Sequence, residues 1–172
     1  MWGIALLTLA LTLWGCGRDQ GPASPQSEQV PNFVATPLES GASGSSESGK
    51  PTRVGTPIDV RQVIPSATGG TISNGRYTLI VPPNALSQDT EYRVRDDNNG
   101  YAECDLYPHG AQFNVPVTLV MDLRNSNANV FTQIFWWDDV HRIWVPMGGV
   151  YNPVTRTLTC QLPHFSKYRA GW

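Results

Sequence analysis

Glycine and proline most constrain what this chain can fold into. They number 16 and 14, and in the C-terminal two thirds they recur at intervals that leave room for strands and little else. The stretch Thr68 to Val94, TGGTISNGRYTLIVPPNALSQDTEYRV, shows the grammar. Tyr77, Leu79 and Val81 alternate with Thr78 and Ile80, the period of a strand with one buried face. Asn74-Gly75 just upstream suits a type I′ turn, which asks for positive φ at both central residues, so a tight reversal is expected there. Pro82-Pro83 removes two backbone donors and stops the ladder. Asn84-Ala85-Leu86 then turns Leu86 back toward the core, and Tyr92 and Val94 resume the alternation.

The rest of the C-terminal region repeats this pattern. Ile58 to Ile64 alternates loosely and stops at Pro65. Tyr101 to Tyr107 places Ala102, Cys104 and Leu106 on one face. Phe113 to Leu123 alternates through Val117, Leu119 and Met121, and Val130 to Trp137 is the most aromatic run. A turn at Asp138 to His141 leads into Arg142 to Val145. Thr155 to Leu162 alternates strictly, and His164 to Arg169 reads as a closing strand. This predicts an all-β fold over residues 57–172, an antiparallel β-sandwich of about nine short strands. Roughly 115 residues suffice for one such core without a metal or a dense disulfide network.

Charge excludes one class of function. The formal net charge is −2, and from Pro57 onward nine Lys/Arg face ten Asp/Glu. No basic stripe interleaved with aromatics is present, so no nucleic-acid partner is expected. No spacing implies a cofactor. Asp96-Asp97-Asn98-Asn99-Gly100 is acidic, but a calcium-loop register with Gly100 sixth puts Arg95 first and Leu106 twelfth, where acidic ligands belong. Asp138, Asp139 and His141 read as a solvated turn, and no metal site is expected.

The N-terminal third has a different composition. Trp2 to Trp14, WGIALLTLALTLW, is apolar apart from two threonines. It is too short to span a bilayer as a helix, which takes about 20 residues, and it fits the apolar core of an export signal. Residues 16–56 hold five prolines and many Ser and Gly, with Phe33, Leu38 and a few valines as the sizeable apolar groups. Such a segment buries too little surface to offset its ordering entropy, so it is expected to be a disordered linker. Its r.m.s. span as a flexible coil is roughly 35 Å.

Two resemblances add to this reading. Leu13-Trp14-Gly15-Cys16 resembles the lipobox of bacterial lipoproteins, although Trp14 is bulky for its position. The resemblance implies removal of residues 1–15, acylation of Cys16 and attachment to a membrane of the bacterial cell envelope. Several acyl chains make such attachment lasting, since each buried CH₂ contributes ~0.8 kcal/mol. The second resemblance spans roughly Val63 to Arg169. Its blocks are Thr68-Gly69-Gly70-Thr71; Leu79-Ile80-Val81-Pro82-Pro83-Asn84-Ala85-Leu86; Tyr107 to Phe113 with Pro116 to Leu119; Phe135-Trp136-Trp137 with Trp144-Val145-Pro146; and His164-Phe165-Ser166-Lys167-Tyr168. In this order they resemble the ZU-five domain, named for zonula occludens proteins and the uncoordinated-five netrin receptors. That family commonly has Gly in place of Asn84. The resemblance implies a β-sandwich interaction module, without the companion domains of the animal scaffolds.

Three groups of residues carry candidate chemistry. In some ZU-five domains the tripeptide matching His164-Phe165-Ser166 cleaves itself between Phe and Ser. Here Ser166 would attack the Phe165 carbonyl while His164 takes its proton, the peptide nitrogen would leave as the new amine, and water would then hydrolyse the ester. The plainer reading is a closing strand with Phe165 inward and its neighbours outward. Cys104 and Cys160 are an even pair in a domain read as exported, which suggests a disulfide closing about 55 residues and worth roughly 3–4 kcal/mol. Trp136, Trp137 and Trp144 flank a turn and could offer a platform to sugar rings. Successive residues point to opposite faces, however, so one of Trp136 and Trp137 belongs to the core and the other pairs with Trp144. The sequence thus points to a non-catalytic envelope module for protein contact or scaffolding, with self-cleavage and carbohydrate binding as alternatives.

Overall fold

The computed structural model describes residues 30–36 and 55–172. The apolar run, Cys16 and most of the expected linker lie outside the described residues. The chain divides into two compact units, Met1–Val30 and Pro31–Trp172, and the second holds all that follows.

Among the described residues of this unit eleven strands form: β1 (Ile58–Ile64), β2 (Gly70–Ser73), β3 (Tyr77–Val81), β4 (Thr90–Asp96), β5 (Glu103–Tyr107), β6 (Gln112–Asp122), β7 (Gln133–Asp138), β8 (Ile143–Gly148), β9 (Val150–Asn152), β10 (Thr157–His164) and β11 (Lys167–Gly171). They make a six-stranded sheet in the order β1-β4-β5-β11-β7-β8 and a five-stranded sheet in the order β2-β3-β6-β10-β9. Every pairing is antiparallel. The expected β-sandwich is therefore present.

Alternation decides which side chains meet between the sheets. Tyr92 and Val94 of β4, Cys104 and Leu106 of β5, Tyr168 and Ala170 of β11 and Ile134 of β7 line one inner face. Leu79 and Val81 of β3, Val117, Leu119 and Met121 of β6, and Leu158, Cys160 and Leu162 of β10 line the other, and all belong to one buried cluster. Four hairpins (β2–β3, β4–β5, β7–β8 and β9–β10) stay within a sheet, while the remaining connections cross between sheets.

The β2–β3 reversal forms with a different turn from the one expected. Gly75 has φ of +97°, but Asn74 is not in the left-handed region. Asn74 instead accepts the N–H groups of Arg76 and Tyr77 on its side-chain oxygen, at 3.2 and 2.8 Å. The side chain does locally what a type I′ backbone would have done, and the turn moves one residue along. Asn84 does adopt a left-handed φ of 60°, a conformation that favours glycine over other residues.

Three further expectations are corrected. First, His164 to Arg169 is not one strand: β10 ends in the five-stranded sheet and β11 begins in the six-stranded one. Second, Cys104 and Cys160 are both buried and unbridged. They sit on the inner faces of opposite sheets, in β5 and β10. A bridge between facing sheets needs the two Cα atoms within about 7 Å, and these two thiols stay free.

Third, residues 31–36 are part of the folded unit rather than linker. Asn32 exchanges two backbone hydrogen bonds with Trp172, at 3.0 and 2.9 Å. Val34 donates to Ala170 O and accepts from Ala102 N, both at 2.9 Å, and Thr36 donates to Gly100 O at 3.0 Å. The segment is antiparallel both to the end of β11 and to the start of β5. Those strands run in opposite directions, so the segment enters along one, turns at Val34 and leaves along the other. It is a wedge driven into the end of the sheet where β5 and β11 part. Val34 is fully buried, which at ~1.5–3 kcal/mol per buried aliphatic side chain is enough to order six residues only with the hydrogen bonds added. Gly171 makes room for it: a Cβ there would stand 2.7 Å from Asn32 O.

Candidate functional site

The tripeptide His164-Phe165-Ser166 is the corner where the chain leaves one sheet for the other. Pairing of β10 with β6 runs regularly to Leu162↔Val117 and then shifts to His164↔Gln112. Pro163 falls at the irregularity, where its missing N–H interrupts no ladder. Phe165 is held by both of its backbone groups. Its N–H donates to Ala111 O at 3.0 Å, and its carbonyl accepts from Gly110 N at 3.1 Å. Its ring meets Phe113 and Tyr92 edge-on, with centroids 4.6 and 5.8 Å away.

Ser166 does not point away from the interior as a strand residue beside an inward Phe165 would. It is buried too, because the corner breaks the alternation. Its hydroxyl donates to the Trp137 carbonyl on β7 at 2.8 Å, and its own carbonyl accepts from Leu106 N at 3.2 Å. The His164 ring lies edge-on to Trp136 at 4.8 Å and is 3.3 Å from the Tyr168 hydroxyl through Nδ1. That hydroxyl also donates to the His164 carbonyl at 2.5 Å. Burial pushes the Tyr168 phenol well above its ordinary range, so it stays a donor at any ordinary pH. In chemical terms the corner offers one N–H to the Phe165 carbonyl, while the Ser166 proton is directed at Trp137 rather than at His164.

The tryptophans divide as alternation requires. Trp136 packs against the core, and Trp137 stands opposite Trp144 across β7 and β8. Their rings lie 5.3 Å apart at 59° to each other, a tilted pair rather than one flat surface. Asp138 shapes the turn between them. It accepts the N–H groups of Val140 and His141 and meets the His141 ring at 2.7 Å, and these contacts hold its carboxyl below its ordinary range.

The outer face of the six-stranded sheet carries a network that the sequence did not reveal. Arg93 grips Asp59 with two nitrogens, at 2.7 and 2.5 Å, and lies over the Tyr107 ring at 4.7 Å. That hydrogen bond holds the Asp59 carboxyl below its ordinary range. Lys167 reaches Asp105 at 3.6 Å and Glu103 at 3.9 Å. Burial raises the Asp105 carboxyl above its ordinary range, against the pull of Lys167 and His109. Arg169 pairs with Glu103, and its guanidinium lies 4.5 to 4.6 Å from the centres of the Phe33, Tyr101 and Trp144 rings. One of those rings comes from the wedge, so the wedge contributes to both faces of the sheet. The only trace of this in the sequence is Phe33-Val34 between two prolines.

At the opposite end from the corner is an open cleft of about 320 Å³, lined by Thr36, Arg76, Asp122 and residues 123–126. Its arginines are paired: Arg76 with Asp96 at 3.1 Å and Arg124 with Asp122 at 2.6 Å. A scan of the chain against models of known protein families finds no match, and no curated protein matches it.

Proposed function

We propose that the protein is a non-catalytic lipoprotein of the bacterial cell envelope, anchored through Cys16, whose ZU-five-like β-sandwich serves as a protein-interaction or scaffolding module. The observation that carries this reading is the use made of the Ser166 hydroxyl. The residue best suited to chemistry spends its one proton tying the sheet-to-sheet corner to β7. The other candidate residues are likewise engaged, Trp137 with Trp144 and His164 with Trp136 and Tyr168. A corner built this way favours a rigid body that presents the charged and aromatic outer face of β4, β5 and β11 to a partner. The two-sheet architecture agrees with the ZU-five resemblance, and the lipobox-like residues supply the anchor.

Self-cleavage between Phe165 and Ser166 is a second reading, favoured by one contact. The Phe165 carbonyl already accepts the Gly110 N–H, as a developing oxyanion would need. Intact mass of the chain expressed with its own N-terminus in a bacterial host separates the readings. The anchored module should lack residues 1–15, carry acyl chains on Cys16 and end at Trp172. A mass without acyl chains defeats the anchor. A chain ending at Phe165, abolished by Ser166→Ala, defeats the non-catalytic reading.

A further inference from the structure

The end of the sandwich where the wedge enters has its own surface chemistry. Three segments meet there and are tied together by hydrogen bonds. Ala35 N–H donates to the Asn127 side chain at 2.9 Å, Leu123 N–H to the Arg156 carbonyl at 2.8 Å, and Arg156 to the Ser126 carbonyl at 2.7 Å. From this rim project Val130, Phe131 and Val154, which are 69, 76 and 89 % exposed.

We propose that this rim seats on the headgroup region of a lipid bilayer, with Val130, Phe131 and Val154 entering the interface. The proposal rests on the anchored reading above. Lipid offers no partners to a loop's polar groups, so a loop that enters it must satisfy them internally. Here Phe131 N–H donates to the Asn129 side chain at 2.8 Å, Thr132 N–H to the Asn129 carbonyl at 3.0 Å, and Val154 N–H to the Asn152 side chain at 2.9 Å. The apolar tips are thus mounted on turns that need no water at those donors.

The chain also comes in at this end. Asn32 is bonded to Trp172 at this same end. Only residues 17–30, fourteen of them, separate Cys16 from Pro31, a reach of at most about 50 Å. An anchor at Cys16 therefore draws this end toward the membrane first. Arg124 and Arg76 are each matched by a carboxylate, so attraction would be chiefly apolar, weakly dependent on salt and similar on zwitterionic and anionic lipid.

The test uses the full chain on vesicles of phosphatidylethanolamine and phosphatidylglycerol, with nitroxide labels placed singly through Phe131→Cys, Val154→Cys and Val140→Cys. Val140 is equally exposed but lies in the β7–β8 turn at the far end. Collision with oxygen relative to a water-soluble nickel complex should be several-fold higher at 131 and 154 than at 140. Vesicle flotation of the chain with native Cys16 and with Cys16→Ser reads the anchor separately. A chain that floats but shows all three labels equally aqueous overturns the docking and leaves the anchor standing. Burial of the label at 131 in a chain whose flotation ignores Cys16 supports the docking and removes the anchor. Equal aqueous exposure together with no flotation removes both.

Discussion

The corner at 164–166 and the wedge at 31–36 solve the same problem with different security. Each is a segment outside the regular ladders that sends one apolar side chain into the core. Each holds that residue by its own N–H and carbonyl: Phe165 between Ala111 and Gly110, Val34 between Ala170 and Ala102. The corner joins β10 directly to β11, so it cannot leave without pulling the two sheets apart. The wedge is separated from β1 by residues 37–57, and its release would leave all eleven strands in place. Similar local bonding should therefore give global stability at one site and a local opening at the other.

The largest test of this difference is Phe165→Ala. It empties a site lined by two aromatic rings and should cost about 3–5 kcal/mol. Chemical denaturation should register the whole loss as a lower midpoint with an unchanged slope. Val34→Ala should cost less, about 2 kcal/mol, and the loss should be localised. Native-state hydrogen exchange should show the amides of Val34 and Ala102 speeding up while those of β6 and β10 hold. If both regions accelerate together, wedge and sandwich are one cooperative unit and the contrast is wrong.

How much of this could be read in the sequence follows from the same contrast. The strands and most of the core were legible because alternation is a local signal, repeated over many residues between Gly and Pro breaks. The corner was visible as a motif but misjudged as a strand, since sequence gives the alternation of His164, Phe165 and Ser166 and not the change of sheet that cancels it. The wedge was hidden by averaging. Two apolar residues do not lift a Ser- and Pro-rich window above the threshold for order, yet Val34 and Phe33 meet a slot prepared by Ala102, Ala170 and Gly171, far along the chain. The Asp59–Arg93 and Glu103–Arg169 pairs were illegible for a related reason: they depend on which strands become neighbours.

A third test joins the two regions through Tyr168, whose hydroxyl supports the corner and whose strand receives the wedge. Its phenol is held above its ordinary range by burial. A group whose folded pKa is raised contributes stability that is intact below the unfolded value near 10 and is lost as pH rises past it. The loss for this one group is about 1.4 kcal/mol per pH unit above 10. Tyr77 and Tyr92, also raised by burial, add to the same slope. Thermal unfolding between pH 8 and 11, as about the accessible range, should therefore fall steeply only in its upper part. Tyr168→Phe should start lower by the lost hydrogen bond, about 1 kcal/mol, and fall less steeply. Parallel curves for the two proteins would mean that Tyr168 is not kept neutral by the fold.

The smallest expected effect is none at all, and it bears on the core that corner and wedge both enter. Cys104 and Cys160 lie on opposite inner faces, and burial raises both thiols. Neither is poised as a thiolate, and the two are unbridged. A reducing agent should leave the thermal midpoint unchanged. Alkylation should modify Cys104 only as fast as the sandwich globally unfolds, because β5 sits between β4 and β11 in the sheet interior. It should slow further, not speed up, when the fold is stabilised. If Cys104 instead reacts at the rate at which the wedge opens, the gap between β5 and β11 reaches deeper than Ala102 and Ala170. The wedge would then be guarding the core rather than resting on it.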